Sequence, residues 1–586
     1  MSDNSTHVIE EPGRTAPAAV STDGTAAPSR RRNIITIHLE DYFQVDAFNN
    51  LIDRKQWYRF EGRIESATRQ TLDLLDAHNV KATFFVQGWN AEREPQLIRQ
   101  VADRGHDIAT SGYYHRNIRE MSREEFLFDL RRSRDVIEQA AGKPVVGFRM
   151  PSGWLKPDQL WLFEELAKEG FVYDSSLLPT MTHYRKEPWR RCPHPVETEH
   201  GIVWEMPPSA MRIAGLDVPL PGGNYFRQLP HRIANYLVKR WMKKNDAPYH
   251  MYFHVWEMDQ DQPRITAASP LAKLRHYRNL GKPGWVMEEY FRAYEFGSIE
   301  DHLQSTDSSV FAAAATQREA NDAVVKQAMA ASSTKIADPS TRSQGPLTPI
   351  SIVIPCYNEE RGLAYLGNTL DHLQSELEDR YSPTFIFVDD GSSDETWSVL
   401  NQLFGSRANY VLVQHQQNRG VSAAILTGLE AADSEIVCSM DCDCTYDPMI
   451  LKDMIPELTT DTDMVTASPY HPSGQVKNVP EWRLVLSKGA SFLYRNIIGG
   501  RLHTYTSCCR IYRRSTIRKI EIKEDHFLGI AELTCRLIQR GSKIVEFPAT
   551  LSVRIFGISK MKTMKTIFGH LGLLWRMKRE RPTETQ

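Results

Sequence analysis

The sequence predicts an α/β protein with two domains in tandem, each built from strands that alternate with helices. Three observations support this. The chain has 586 residues, too many for one ordinary core. Short apolar runs alternate with stretches of helical periodicity, first from Asn33 and again from Ile350. Between the two series, Gln304 to about Leu347 shifts to Ala, Ser, Thr, Gln and Asp with scattered charge. The expected division is a disordered tail over 1–32, a first domain over 33–303, a linker over 304–348, a second domain over 349–577 and a basic tail over 578–586.

In the first domain, Ile34–Leu39, Ala82–Val86, Val145–Phe148 and Met251–His254 read as buried strands, and Ala67–His78 and Glu124–Ala141 as helices. In the linker, Ala312–Ala331 has helix formers but no sustained apolar face. In the second domain, strands are expected at Ile350–Pro355, Thr384–Val388, Tyr410–Gln414, Ile436–Met440 and Met464–Ala467, at intervals that suit βαβ crossovers.

The totals exclude several classes. A formal net charge of −2 gives no general attraction to nucleic acid. Eight cysteines, none spaced C-x-x-C, do not make a disulfide framework and suit a reducing compartment. Met1 to Arg32 lacks the apolar core of a secretory signal, and no apolar run is long enough to span a bilayer. The cytoplasm is the expected location.

The chemistry concentrates at predicted strand ends, where open parallel sheets bind ligands. Pro355-Cys356-Tyr357-Asn358-Glu359 ends the first strand of the second domain, Asp389-Asp390 the next, and Asp441-Cys442-Asp443 a third. Carboxylates there can accept from a base or ribose, and a D-x-D pair can present oxygens to Mg²⁺ or Mn²⁺ beside a diphosphate. The alternative is that these acids are helix caps and turn formers. Three clusters at successive strand ends favour a site. Cys438, Cys442 and Cys444 lie around the same strand end, at odd spacing that disfavours zinc.

These motifs, with Asn418-Arg419-Gly420, Trp482-Arg483-x₃-Ser487 and Arg554-x₄-Ser559-Lys560, resemble family 2 glycosyltransferases of the GT-A fold, a Rossmann-like nucleotide-diphospho-sugar transferase. The dolichyl-phosphate-mannose synthase-like branch is the most similar. The resemblance implies that Pro355, Tyr357, Glu359 and Asp390 contact the nucleoside of the donor and that Asp441 and Asp443 hold the metal. It places Arg483, Ser487, Ser559, Lys560 and Arg554 at phosphates of the donor or acceptor, with Asp389 bracing the loop. Asp443 and Arg554 are the expected catalytic pair. Thr445 replaces a glutamine common in the family. A lipid-phosphate acceptor is anionic and needs no general base; a hydroxyl acceptor does, and Glu532 is the candidate.

In the first domain, His38-x-Glu40-Asp41, Ser111-x₃-His115, Arg149-Met-Pro151-Ser152, Asp174-Ser175-Ser176 and His254-Val-Trp256-Glu257 resemble the polysaccharide deacetylase (NodB homology) family. The implied fold is a distorted (β/α)₇ barrel. Active members use an acidic base, an Asp/His/His metal triad and a late histidine as acid. Here His38 stands at the base position, Glu40 or Asp41 is left for the metal, and Ser111 replaces one metal histidine. His115, Arg149, Asp174 and His254 are kept, the last as general acid should any activity remain. Loss of a ligand and of the base strikes the metal-activated water on which amide hydrolysis depends.

The leading expectation is a glycosyltransferase that uses a nucleotide-sugar donor and a polyprenyl-phosphate or glycan acceptor, fused to an inactive barrel. One alternative is a bifunctional transferase and N-deacetylase; another is a non-enzymatic glycan-binding scaffold. The C-terminal segment, with Ile567-Phe568, Leu571, Leu573-Leu574-Trp575 and Arg576, Lys578, Arg579 and Arg581, suits either an anionic membrane surface or packing on its own domain.

Overall fold

The computed structural model describes residues 32–151, 155–178, 187–213, 216–220, 222–332, 346–524, 526–557 and 563–580. The expected tail over 1–32 therefore lies almost wholly outside the described residues, as do Ser152, Ser559, Lys560 and most of 578–586.

The first domain is built on β1 (Asn33–Leu39), β2 (Thr83–Val86), β3 (Asp107–Thr110), β4 (Gly147–Phe148), β5 (Tyr173–Asp174), β6 (His194–Thr198), β7 (Gly201–Glu205), the hairpin β8 (Ala210–Ile213) and β9 (Leu216–Pro219), β10 (His250–His254) and β11 (Phe296–Gly297). The sheet order is β10-β1-β2-β3-β4-β5-β7-β6, with β11 also on β1. The seven strands from β10 to β7 are parallel, and β6 pairs antiparallel at the edge. Among the described residues no pairing joins β10 back to the β6 edge, so the barrel is incompletely closed. All seven residues of β1 are buried, because it lies between two strands with helices outside. Helix α1 (Ile64–Ala77) covers the sheet, as does α2 (Arg123–Ala141). A Ser122–Glu125 capping box starts α2, and Gly142 ends it at φ +67.

The expected linker is only partly one. Helix α3 (Ser309–Ser332) runs through it, and its first half docks on the barrel. Val310 is buried, Phe311 and Ala314 pack beside it, and Arg318 makes a two-pronged ion pair with Glu138. The apolar face is too short to stand out as periodicity, so composition alone read as linker.

The second domain contains β12 (Thr348–Cys356), β13 (Tyr381–Asp389), β14 (Tyr410–Gln414), β15 (Ile436–Ser439), β16 (Met464–Ser468), β17 (Gln475–Lys477), β18 (Arg510–Arg513), β19 (Ile544–Pro548) and β20 (Thr550–Ser552). Seven form one sheet in the order β14-β13-β12-β15-β18-β16-β19. Only β18 runs against its neighbours. Separate apolar clusters cover the two faces. The helices used below are α4 (Leu363–Leu377), α5 (Val421–Ala431), α6 (Glu481–Ile498), α7 (Phe527–Gln539) and α8 (Thr563–Arg579).

Register sets both sites. Cys356 pairs with Asp389, which brings the loops after β12 and β13 to one level. In the barrel, His38 pairs with His254.

Candidate active site

In the second domain the loops after β12 and β13 are tied together. Asn358 sits in the left-handed region at φ +53; its amide donates to Ser392 Oγ at 2.8 Å, and its side-chain oxygen accepts from Ser393 N at 2.7 Å. Gly391 adopts φ +68 where the chain at Gln417–Asn418 passes so closely that a Cβ would lie 2.5 Å from backbone carbon. Asp389, fully buried, accepts from Ser392 N and Gln414 Nε2. Asp390 is also buried, and its carboxylate takes the amides of Arg419 and Gly420, Asn418 Nδ2 and His415 Nδ1. The brace expected of Asp389 is thus shared by Asp390, which fixes the loop leading into α5.

Glu359, Asp443 and Arg554 converge at the strand ends. Arg554 Nε and Nη2 each lie 2.7 Å from Asp443 Oδ2, and Nη1 donates to both Glu359 oxygens at 2.9 and 3.1 Å. The backbone explains the convergence: Ser552 N, at the end of β20, donates to Thr445 O, two residues past Asp443, so Arg554 is delivered over the D-x-D loop. Asp443 Oδ1 accepts from Thr445 N. Burial, together with the Asp443 charge, pushes Asp441 up to about 7. Two acids at a strand end with a guanidinium already on one of them form an oxygen donor set that fits a hard divalent cation.

Arg483 and Ser487 lie on α6, which begins just after β17, the partner of β20. Glu532, the candidate base for a hydroxyl acceptor, is fully buried in α7 and accepts from Lys523 N, Glu524 N and Arg536. It anchors that helix and reaches no open space. Cys442 turns inward to within 3.3 Å of Cys356 Sγ, as a buried thiol contact.

The barrel site is arranged differently from its expected roles. Asp41 faces away: its carboxylate accepts from the amides of Tyr42, Arg63 and Ile64 and braces the loop. Glu40 is the carboxylate that faces the site. It pairs with His254 Nδ1 on one oxygen and His115 Nε2, at 3.2 Å, on the other, with Trp256 Nε1 at 3.3 Å. Burial opposes ionisation of Glu40, yet the adjacent His254 holds its carboxyl well below the usual range. Burial likewise pulls His254 down, but the Glu40 carboxylate leaves it raised. Asp174, kept from the family pattern, accepts from Ser176 N and Oγ, and burial raises its carboxyl beside that of Glu205.

His38 Nε2 lies 3.0 Å from Arg149 Nη1. Arginine only donates, so this nitrogen accepts and Nδ1 carries the proton. Burial, then His254 and Arg149, keep His38 neutral, far below its ordinary value. His38, Glu40 and His254 have potential ligand atoms within 4.8 Å of one another. While Arg149 holds the Nε2 lone pair, however, His38 has none to give, and Ser111 supplies no imidazole. The donor set does not fit the family's catalytic metal.

Comparison with known proteins finds family models that match each half of the chain. The model for "Glycosyl transferase family 2" matches residues 351–521, that for "Polysaccharide deacetylase" matches 53–169, and a domain of unknown function, DUF3473, matches 175–304. A polyprenol monophosphomannose synthase of Mycolicibacterium smegmatis is 31% identical over 217 residues, 36% of this chain and 80% of that protein. A dodecaprenyl-phosphate galacturonate synthase of Rhizobium johnstonii is 26% identical over 236 residues, 39% of this chain and 67% of its own length. A peptidoglycan-N-acetylglucosamine deacetylase of Bacillus cereus is 34% identical over 99 residues, 17% of this chain; the chain spans only 36% of that relative. The protein belongs to glycosyl transferase family 2 through its second domain, which is fused to a polysaccharide deacetylase-type barrel.

Proposed function

We propose that the protein transfers a hexose from a nucleotide-sugar to the phosphate of a polyprenyl phosphate, with inversion. The observation that carries this reading is the Arg554 guanidinium bridging Glu359 and Asp443 at the strand ends. Two relatives named above differ in the sugar in their names, mannose or galacturonate, but share a polyprenyl-type phosphate. An acceptor phosphate oxygen attacks the anomeric carbon as the bond to the nucleoside diphosphate breaks and its electrons pass to the departing oxygen. The acceptor is already anionic, so no general base is required. Arg554 stands where negative charge grows and Glu359 orients it. Pro355, Tyr357 and Glu359 line the nucleoside side, and Arg483 and Ser487 the acceptor phosphate. Asp441 and Asp443 would hold Mg²⁺ or Mn²⁺, which neutralises the departing diphosphate.

Access of a lipid acceptor has a candidate surface. Helices α6 and α8 pack through Tyr494, Ile498, Leu573, Leu574 and Met577. Beside this seam they expose Trp482, Val485, Phe492, Phe568 and Trp575, with Lys578 and Arg579 nearby. Such a face suits the interface of an anionic membrane. Among the described residues no helix is long and apolar enough to cross a bilayer. The barrel keeps a cavity of about 550 Å³ with Tyr225, Tyr252 and Trp256 in its wall, a sugar-sized pocket without hydrolytic machinery.

Incubation of purified protein with UDP- and GDP-sugars and polyprenyl phosphate tests the reading. A sugar-lipid that disappears with Asp443→Ala is expected. No sugar-lipid with any donor, or product undiminished in that variant, refutes it.

A further inference from the structure

We infer that the barrel is a working part of the transferase site, and that Thr266 is the positioning residue through which it holds the Arg554 segment. This rests on the reading of Arg554 given above. Arg554 has its backbone fixed on one side by the Ser552–Thr445 bond within its own domain. On the other side the fixing comes from the barrel. Thr266 N donates to Ile555 O at 2.9 Å, and Ala267 N adds a longer contact at 3.4 Å. The Thr266 hydroxyl lies 2.8 Å from Gly557 O and 3.0 Å from Ile555 O. A hydroxyl has one proton to give, and Ile555 O already has an amide, so the Gly557 carbonyl is the one that depends on Oγ1.

The residue between these carbonyls is seated as firmly. Phe556 is 7% exposed and lies against Phe60 and Tyr365, with ring centroids 6.0 and 5.7 Å away. Phe60 comes from the barrel and Tyr365 from α4. Next to it the Arg59 guanidinium, itself buried, meets Asp447 at 2.5 Å, and Asn368 donates to the carbonyls of Arg59 and Phe60. Apolar packing, an ion pair and backbone bonds therefore all cross between the domains around the D-x-D loop and Arg554.

The two barrel segments involved have a common origin. The one with Arg59 and Phe60 follows β1, whose end carries His38 and Glu40; the one with Thr266 follows β10, whose end carries His254. Here the ends of two strands that form the deacetylase-type pocket serve as roots for the brace. A guanidinium that must span two carboxylates within hydrogen-bond distance is sensitive to displacement of about 1 Å, which makes this brace consequential for transfer.

The test compares Thr266→Val, which keeps shape and the amide but loses the hydroxyl, with Thr266→Ser, which restores it, both in the full chain. Hydrogen exchange of peptides covering 264–268 and 551–557 is read alongside turnover of nucleotide-sugar with polyprenyl phosphate. The expected result for Thr266→Val is exchange about tenfold faster in both peptides, kcat lower by about tenfold and donor KM changed less than twofold, with unchanged far-UV circular dichroism. Thr266→Ser should return both readouts to wild type. Unchanged exchange in Thr266→Val overturns the brace, whatever turnover does. Faster exchange with wild-type kcat overturns its link to transfer while the transferase reading stands. If wild-type protein shows no turnover, the transferase reading fails, and with it the link to transfer; exchange alone then decides whether Thr266 holds the segment.

Discussion

Replacing Arg554 tests the site most directly. Its side chain is 21% exposed and those of Glu359 and Asp443 are 11% and 12% exposed, so the contacts are largely withdrawn from water. Surface pairs are worth about 0–1 kcal/mol and buried ones, when broken, about 3–5 kcal/mol; this cluster falls between. Arg554→Ala leaves Glu359 and Asp443 without their cation and should cost about 2–3 kcal/mol of stability in metal-free buffer. The same change should lower kcat by roughly 10²–10³-fold, the usual consequence of removing one preorganised charge from a transition state. Arg554→Lys should recover little, because a single ammonium cannot span both carboxylates. A second consequence separates this model from general damage. The guanidinium competes with a divalent cation for Asp443, so Mn²⁺ should raise the melting temperature more in Arg554→Ala than in wild type. Scanning calorimetry with and without Mn²⁺, beside steady-state kinetics, measures all three effects. Activity within threefold of wild type, or equal Mn²⁺ stabilisation of both proteins, would refute the reasoning.

Three other outcomes follow from particular residues. His106 is 1% exposed, its Nδ1 accepts from Ala82 N, and burial depresses it to about 4. Its stabilisation is complete above the unfolded value of about 6.5 and is lost as pH falls through about 4, about 3 kcal/mol in all; urea midpoints should therefore fall less steeply over that window in His106→Asn, and parallel curves would exclude this source. Metal analysis of the dialysed full chain should find no tightly held ion that vanishes with His115→Ala, since His38 and Ser111 cannot complete a ligand set; a stoichiometric ion lost in that variant would reverse this conclusion. Trp482→Glu with Trp575→Glu should reduce sedimentation with phosphatidylglycerol vesicles at least tenfold and spare binding of UDP or GDP; undiminished sedimentation would remove that face from consideration.

Much of the architecture was legible because its signals are local. Buried strands such as Ile34–Leu39 and Ile350–Pro355 are mostly apolar runs, and carboxylates follow them within four residues in the chain. The docking of helix α3 could not be read because the partners of Val310, Phe311 and Arg318 lie on another part of the chain. The partition of roles between Asp389 and Asp390, and between Glu40 and Asp41, was not readable from adjacent identical or similar acids. Which one faces the ligand depends on which loop closes over it, and those loops come from residues 415–420 and 63–64.

Thr266, Arg59 and Phe556 gave no signal at all in the sequence. Each acquires its role from a neighbour on the opposite domain, and no spacing within one segment encodes that. By itself the sequence determined two α/β domains and placed paired acids and a D-x-D at strand ends, because side-chain chemistry at strand ends is a local property; the departures at His38 and Ser111 were legible only by resemblance to the deacetylase family. Only the tertiary structure decided that Arg554 joins Glu359 to Asp443, that Arg149 occupies the His38 lone pair, and that the barrel grips the segment carrying Arg554. Those are contacts across 111 to 291 positions, set by how sheets and loops meet in space.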